Sequence, residues 1–155
     1  MIAGDGKAGI VDDAVDENQH QTLEAIEGES WGDAPGDESY LVRTVHRLRR
    51  KPLGQFTVED LRILLGQNVG VEYVLPRALD RLEQDPFAEG DYYPGDLLVA
   101  VMTLPAETWS KHPRWADLLQ QIVSRVESVD PATNLDLSDM LLDKIRDFRE
   151  RRARR

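Results

Sequence analysis

Residues 57–84, TVEDLRILLGQNVGVEYVLPRALDRLEQ, carry the pattern that decides the fold. Thr57 and Asp60 stand at capping-box spacing, with Asp in place of the usual Glu or Gln. They open a helix through Leu61, Leu64 and Leu65 that Gly66 or Gly70 closes. From Glu72 to Gln84 helical spacing returns through Val74, Leu75, Ala78, Leu79 and Leu82. Pro76 fits that helix only in a first turn or at a kink, because proline lacks an N–H and its ring crowds the preceding turn. Asp85-Pro86 ends the pattern, since a residue before proline is pushed out of the α region.

The same period continues on both sides. Upstream, Leu41, Val45 and Leu48 form one apolar stripe from Tyr40 to Arg50, with Ser39 as N-cap and Lys51-Pro52 as the stop. Leu23 and Ile26 predict a short amphipathic helix over Glu17–Glu27 that Gly28 ends. Between the two, Glu29–Glu38 (ESWGDAPGDE) reads as an ordered loop pinned by the Trp31 indole. Downstream, Glu89–Asp96 (EGDYYPGD) is the most loop-like part of the body, and Asp96 is placed to cap an apolar helix over Leu97–Leu104. After Pro105 comes a turn with Trp109, then a long helix from Pro113 to Val129 that Asp130-Pro131 stops. Ser138–Arg155 is a last amphipathic helix carrying Met140, Leu141, Ile145 and Phe148.

No run alternates in the β sense over β-branched or aromatic residues. The expectation is therefore an all-α fold, a compact single-domain array of about six or seven helices. Residues 1–16, rich in Gly, Ala and Asp without a period, read as a disordered acidic leader. Residues 17–150 read as the helical domain and 151–155 as a frayed Arg-rich tail.

Charge is placed unevenly along the 155 residues, which hold 29 acidic and 19 basic side chains for a net −10. Residues 1–40 hold eleven acids against Lys7 alone, and residues 52–143 hold sixteen acids against six bases. The cations gather in two clusters, Arg43 to Lys51 and Lys144 to Arg155. An acidic body repels nucleic-acid phosphates and favours a basic protein partner reached by electrostatic steering. No cysteine is present, which excludes a disulfide scaffold, thiolate metal sites and a cysteine nucleophile. The longest apolar run, Leu97–Met102, is far short of the roughly 20 residues of a membrane span. No signal segment is visible at the start, so the protein is expected in the cytoplasm, away from the membrane.

Several short patterns fail on context. Gly4-x-Gly6-x-x-Gly9 has dinucleotide-fingerprint spacing, yet only three residues precede it and no strand can deliver the turn. Gly28-Glu29-Ser30-Trp31-Gly32 has nucleophile-elbow spacing but follows a helical pattern and runs into a Gly/Pro loop. His20, His46 and His112 lie in separate segments without metal-ligand spacing. Glu89, Asp91 and Asp96 lack the alternating ligands of a calcium loop, and no metal or cofactor is expected. Two alternatives stay open: a regulator linked to nucleic acid if the basic clusters form one face, and a metal-dependent hydrolase if Glu89, Asp91 and Asp96 converge on a pocket.

Read together, these segments resemble a known family. The combination is Glu27-Gly28-x-x-Trp31-Gly32, then His46-x-Leu48-Arg49-x-Lys51-Pro52-Leu53, then Phe56-Thr57-Val58-Glu59-Asp60-Leu61-Arg62. It continues with Leu65-Gly66-Gln67-x-Val69-Gly70 and Glu89-Gly90-Asp91-x-Tyr93-Pro94-Gly95-Asp96. From about Leu23 to Leu119 the sequence resembles the immunity proteins of bacterial contact-dependent growth inhibition systems. The resemblance implies a small intracellular, non-enzymatic protein that binds and blocks the C-terminal toxin domain of a secreted effector; its oligomeric state stays open, with a monomer favoured. Such toxins are commonly nucleases with basic substrate faces, which fits the charge reading. The motif-bearing positions carried over are Trp31, His46, Arg49, Pro52, Asp60 and Gln67, together with Glu89, Asp91, Tyr93 and Asp96. Of these, Trp31 and Pro52 are expected to hold the fold. For toxin contact the expectation falls on Glu89, Asp91, Tyr92, Tyr93 and Asp96, with Glu29, Asp33 and Asp37 second.

Overall fold

The computed structural model describes residues 17–154 and is all-α, with eight α-helices among those residues. The expected leader, residues 1–16, lies outside the described residues. Helix α1 is Leu23–Glu27, α2 is Tyr40–Leu48, α3 is Val58–Gly66 and α4 is Val71–Gln84. They are followed by α5 (Asp96–Met102), α6 (Ala106–Lys111), α7 (Pro113–Glu127) and α8 (Asp139–Ala153). A 3-10 turn, Leu53–Gln55, links α2 to α3.

The centre is a trio in which α3, α4 and α5 each pack on the other two. Helix α2 lies on α3, α7 on α4, α8 on α5, and α6 on α7. The seven residues of α5 explain its central place, because Leu97, Leu98, Ala100, Val101 and Met102 are all buried and leave little polar face. Around it close Leu64 and Leu65 of α3, Leu75, Leu79 and Leu82 of α4, Leu119 and Val123 of α7, and Leu141 and Ile145 of α8. Each such side chain contributes about 1.5–3 kcal/mol by leaving water.

Local chemistry sets the helix starts. Ser39 Oγ accepts the Val42 N–H at 3.2 Å, and Thr57 with Asp60 forms a full capping box, as the spacing predicted. Gly28 takes the left-handed conformation after α1, also as read.

Five local expectations need correction. Helix α1 covers only Leu23–Glu27, because residues 18–20 form a turn and Thr22 Oγ1 starts the helix by accepting the Ala25 N–H. Leu41 is 38% exposed, and the buried side of α2 is made by Thr44, Val45 and Leu48. Trp109 sits in helix α6 rather than a turn, with Pro105 fixing the backbone just before it. Helix α4 starts at Val71, so Pro76 stands in its second turn; the carbonyl left without an i+4 donor belongs to Glu72, an exposed residue. The last helix runs on through Ala153, and Arg151 Nη2 reaches Met102 O at 3.5 Å, so its end docks where fraying was expected.

Candidate functional site

The loop between α4 and α5 is held from below by carboxylates. Gly95 has φ +92°, which aims the chain so that Asp96 is the first residue of α5. Asp96 was expected to cap its own helix. Instead its side chain reaches back across the loop: Oδ1 accepts the Gly90 N–H at 2.6 Å, and Oδ2 accepts the Tyr92 N–H at 3.1 Å. The donors lie four and six residues earlier because the loop folds over the carboxylate, closed by an antiparallel bridge between Glu89 and Pro94. Asp96 is only 3% exposed, so it supports the surface rather than forming it, which corrects its place among the expected contact residues.

A second carboxylate grips the same loop from α3. Glu59 Oε1 accepts the Asp91 N–H at 2.9 Å and the Arg62 Nε–H at 2.7 Å. The hydrogen bonds from Arg62, ahead of all other causes, hold the Glu59 carboxyl below its ordinary pKa. Arg62 also lies 3.9 Å from Asp96 Oδ2 and 4.5 Å from the centre of the Tyr92 ring. Burial, reinforced by the nearby Asp96 charge, raises the Tyr93 phenol above its usual value. What the clamp leaves outside is Glu89, Asp91 and Tyr92, all exposed, with Tyr93 half-buried. Glu59 and Arg62 were quoted within a motif but missed as site residues; their i,i+3 spacing on a helix was the available signal.

The other motif residues meet at a different place, between α1 and α2. Arg49 is 1% exposed. Its guanidinium pairs with the Glu27 carboxylate, donates to Glu29 O at 2.7 Å, and lies 4.2 Å from the Trp31 ring centre. His46 Nδ1 donates to Gly32 O at 3.2 Å, and its ring stands edge-on to Trp31 with centroids 5.3 Å apart. The Trp31 loop is thus ordered from beneath while its indole stays 40% exposed. At the end of α2, Lys51 Nζ donates to Asp60 Oδ2 at 2.6 Å, the oxygen that also accepts the Thr57 N–H.

Of the remaining predicted residues, Pro52 precedes the 3-10 turn and accepts from the Gln55 N–H. Gln67 is the exposed C-cap of α3. Asp33 is exposed and accepts from Arg50 Nη1 at 2.8 Å; Glu29 and Asp37 are exposed in the same loop. The structure therefore separates two groups that the sequence mixed. Arg49, Asp60 and Asp96 are internal struts, and Glu89, Asp91, Tyr92, Trp31, Asp33 and Asp37 reach the surface.

No group of three or more His, Asp or Glu among the described residues is placed to hold a metal ion. Nor is any helix among them long and apolar enough to cross a membrane. The two basic clusters line separate hollows, Arg43 to Lys51 beside α2, and Arg151 and Arg152 beside Met102 and Trp109. No curated protein matches the chain. The motif residues that build both the Arg49 knot and the Asp96 clamp fall within residues 25–122, the stretch matched by the family described as CDI immunity proteins, and the chain belongs to that family.

Proposed function

We propose that this immunity protein neutralises the C-terminal toxin domain of its cognate contact-dependent growth inhibition effector by laying an acidic surface over a basic substrate face, the toxin being a nuclease and the encounter cytoplasmic. The observation that carries this reading is the clamped loop. Glu89, Asp91 and Tyr92 stand exposed on a backbone whose N–H groups are tied to buried Asp96 and partly buried Glu59. A loop ordered before binding loses little conformational entropy on docking, so more of its contact energy appears as affinity. Carboxylates beside an exposed phenol are suited to a cationic surface, since charge steers the approach and the ring supplies buried area. The net charge of −10 adds long-range attraction to the same partner. Tyr93, half-buried beneath, and Glu29, Asp33 and Asp37 in the Trp31 loop extend this acidic surface in the proposal.

The test is inhibition of the toxin encoded beside this gene, with growth rescue and calorimetric affinity as readouts. Glu89→Lys with Asp91→Lys is expected to weaken binding by tenfold or more and to flatten its salt dependence. Unchanged affinity in that variant would remove the loop from the interface.

A further inference from the structure

A second charged surface lies on the other side of the first turn of α3, and it has the opposite sign. Tyr40, Arg43, Arg47 and Arg50 recur at helical spacing along α2 and the turn that follows it, on the side away from buried Thr44, Val45 and Leu48. The three arginines border an open hollow of about 500 Å3, lined also by Asp33, Ala34, His46 and Lys51. Four full cations face one carboxylate there, in a molecule whose net charge is −10. Arg50 is taken up by Asp33 and Glu24, and Lys51 by Asp60. Among the described residues Arg43 donates only to the Glu38 carbonyl, and no carboxylate there pairs with exposed Arg47. Two aromatic groups neighbour its lining residues: Trp31 contacts His46, and Tyr40, 71% exposed, stands one turn before Arg43.

We infer that this hollow is a second docking site, taking a loop of the bound toxin that bears Asp or Glu side chains; the inference rests on the immunity reading and adds a contact of opposite charge to it. Arg, Trp and Tyr are the side chains that carry most binding energy at protein interfaces; here exposed Arg43 and Arg47 line the hollow, Trp31 packs on His46 in its wall, and Tyr40 stands one helical turn from Arg43. Unpaired guanidiniums recognise carboxylates through paired N–H donors. A polyphosphate would meet the same cations, but the acidic body around them repels it along its length, whereas a short acidic loop reaches only the hollow. The hollow and the clamped loop border the same turn of α3, because Lys51 binds Asp60 while neighbouring Glu59 binds the Asp91 backbone. A partner offering a basic face and an acidic loop can engage both in one orientation only, which gives register as well as affinity.

The test compares three proteins against the cognate toxin by calorimetry: the wild type, Arg43→Glu with Arg47→Glu, and Lys144→Glu with Arg146→Glu as an equal charge change on α8. If net charge alone governed association, both variants would bind a basic toxin as tightly as the wild type or tighter. The inference expects the α2 variant alone to lose tenfold or more in affinity, with unchanged helical circular dichroism. Wild-type binding that survives the α2 reversal overturns the hollow and leaves the immunity reading intact. A wild type that neither binds nor protects overturns the immunity reading and the hollow's assignment with it. Retardation of a labelled RNA or DNA oligonucleotide that the α2 reversal abolishes would mean the hollow reads phosphate, and would also overturn the inference.

Discussion

Asp96 Oδ1 lies 2.6 Å from the backbone nitrogen of Gly90, so a buried carboxylate at the start of α5 fixes the loop expected to meet the toxin. The proposed contact surface and the residue that shapes it are different groups. Removing the carboxylate strands the part-buried loop N–H groups of Gly90 and Tyr92 and empties a buried polar site, and an unpaired donor shielded from water costs about 1–3 kcal/mol. Asp96→Ala is expected to lose about 2–4 kcal/mol in urea unfolding. Amide exchange at Gly90 and Tyr92 should quicken beyond the global change, and toxin affinity should fall although Asp96 itself is buried.

Gly95 makes the same loop possible through its backbone. At φ +92° a side chain is strained, and a Cβ there would sit 2.8 Å from Leu141 Cδ2 on α8. Gly95→Ala should therefore destabilise by about 2–3 kcal/mol, combining the conformational cost with overpacking. Thermal unfolding measures it. Leu141→Ala in the same chain should relieve the clash but not the backbone strain, so the two costs should be less than additive.

Acid sensitivity follows from Glu59 and Glu127, both held below the ordinary value of 4.5 by their hydrogen bonds from Arg62 and Arg149. A carboxyl whose folded pKa is depressed contributes stability above its unfolded pKa and loses it as pH falls through the folded one. Urea midpoints for the wild type should thus decline below about pH 4.5, as the unfolded state takes up protons first. Glu59→Gln should be less stable than wild type at pH 7, with the gap narrowing as pH drops toward 3. A gap independent of pH would mean that shape, not charge, links Glu59 to Arg62.

Arg49 tests the knot between α1 and α2. It is nearly inaccessible, with Glu27, the Glu29 carbonyl and the Trp31 ring as its partners. Arg49→Ala should cost about 2–4 kcal/mol, since it empties a buried site and takes the donor from the Glu29 carbonyl, while the Glu27 carboxylate, about a third exposed, returns to water. Arg49→Lys keeps the charge but loses the planar fork and the stacking, so roughly half of that loss should remain. Trp31 emission should shift to the red in both variants as the indole leaves its support.

Much of the fold was legible because the signals are local. The Ser39 cap, the Thr57–Asp60 box and the apolar periods of α3, α4 and α7 involve residues within one or two turns, and the structure keeps them. Leu41 went astray because a periodic stripe does not reveal how wide the neighbouring helix is; Thr44, its hydroxyl satisfied by the Tyr40 carbonyl, is buried while Leu41 is left at the edge. Trp109 went astray because six residues of helix are too few to show a period.

The candidate site divides along the same line. Charge content, the exposed acidic loop and the family resemblance are properties of residue type and order, and the sequence determined them by itself. Which carboxylates reach the surface and which are struts was decided by the tertiary structure. Asp91 and Asp96 are equally acidic in the chain, yet one is exposed and the other is 3% accessible. The difference arises because burying a carboxylate is tolerable only where converging donors replace its water. Those donors, the N–H groups of Gly90 and Tyr92 with the guanidinium of Arg62 nearby, come together only when the loop closes over α3 and α5.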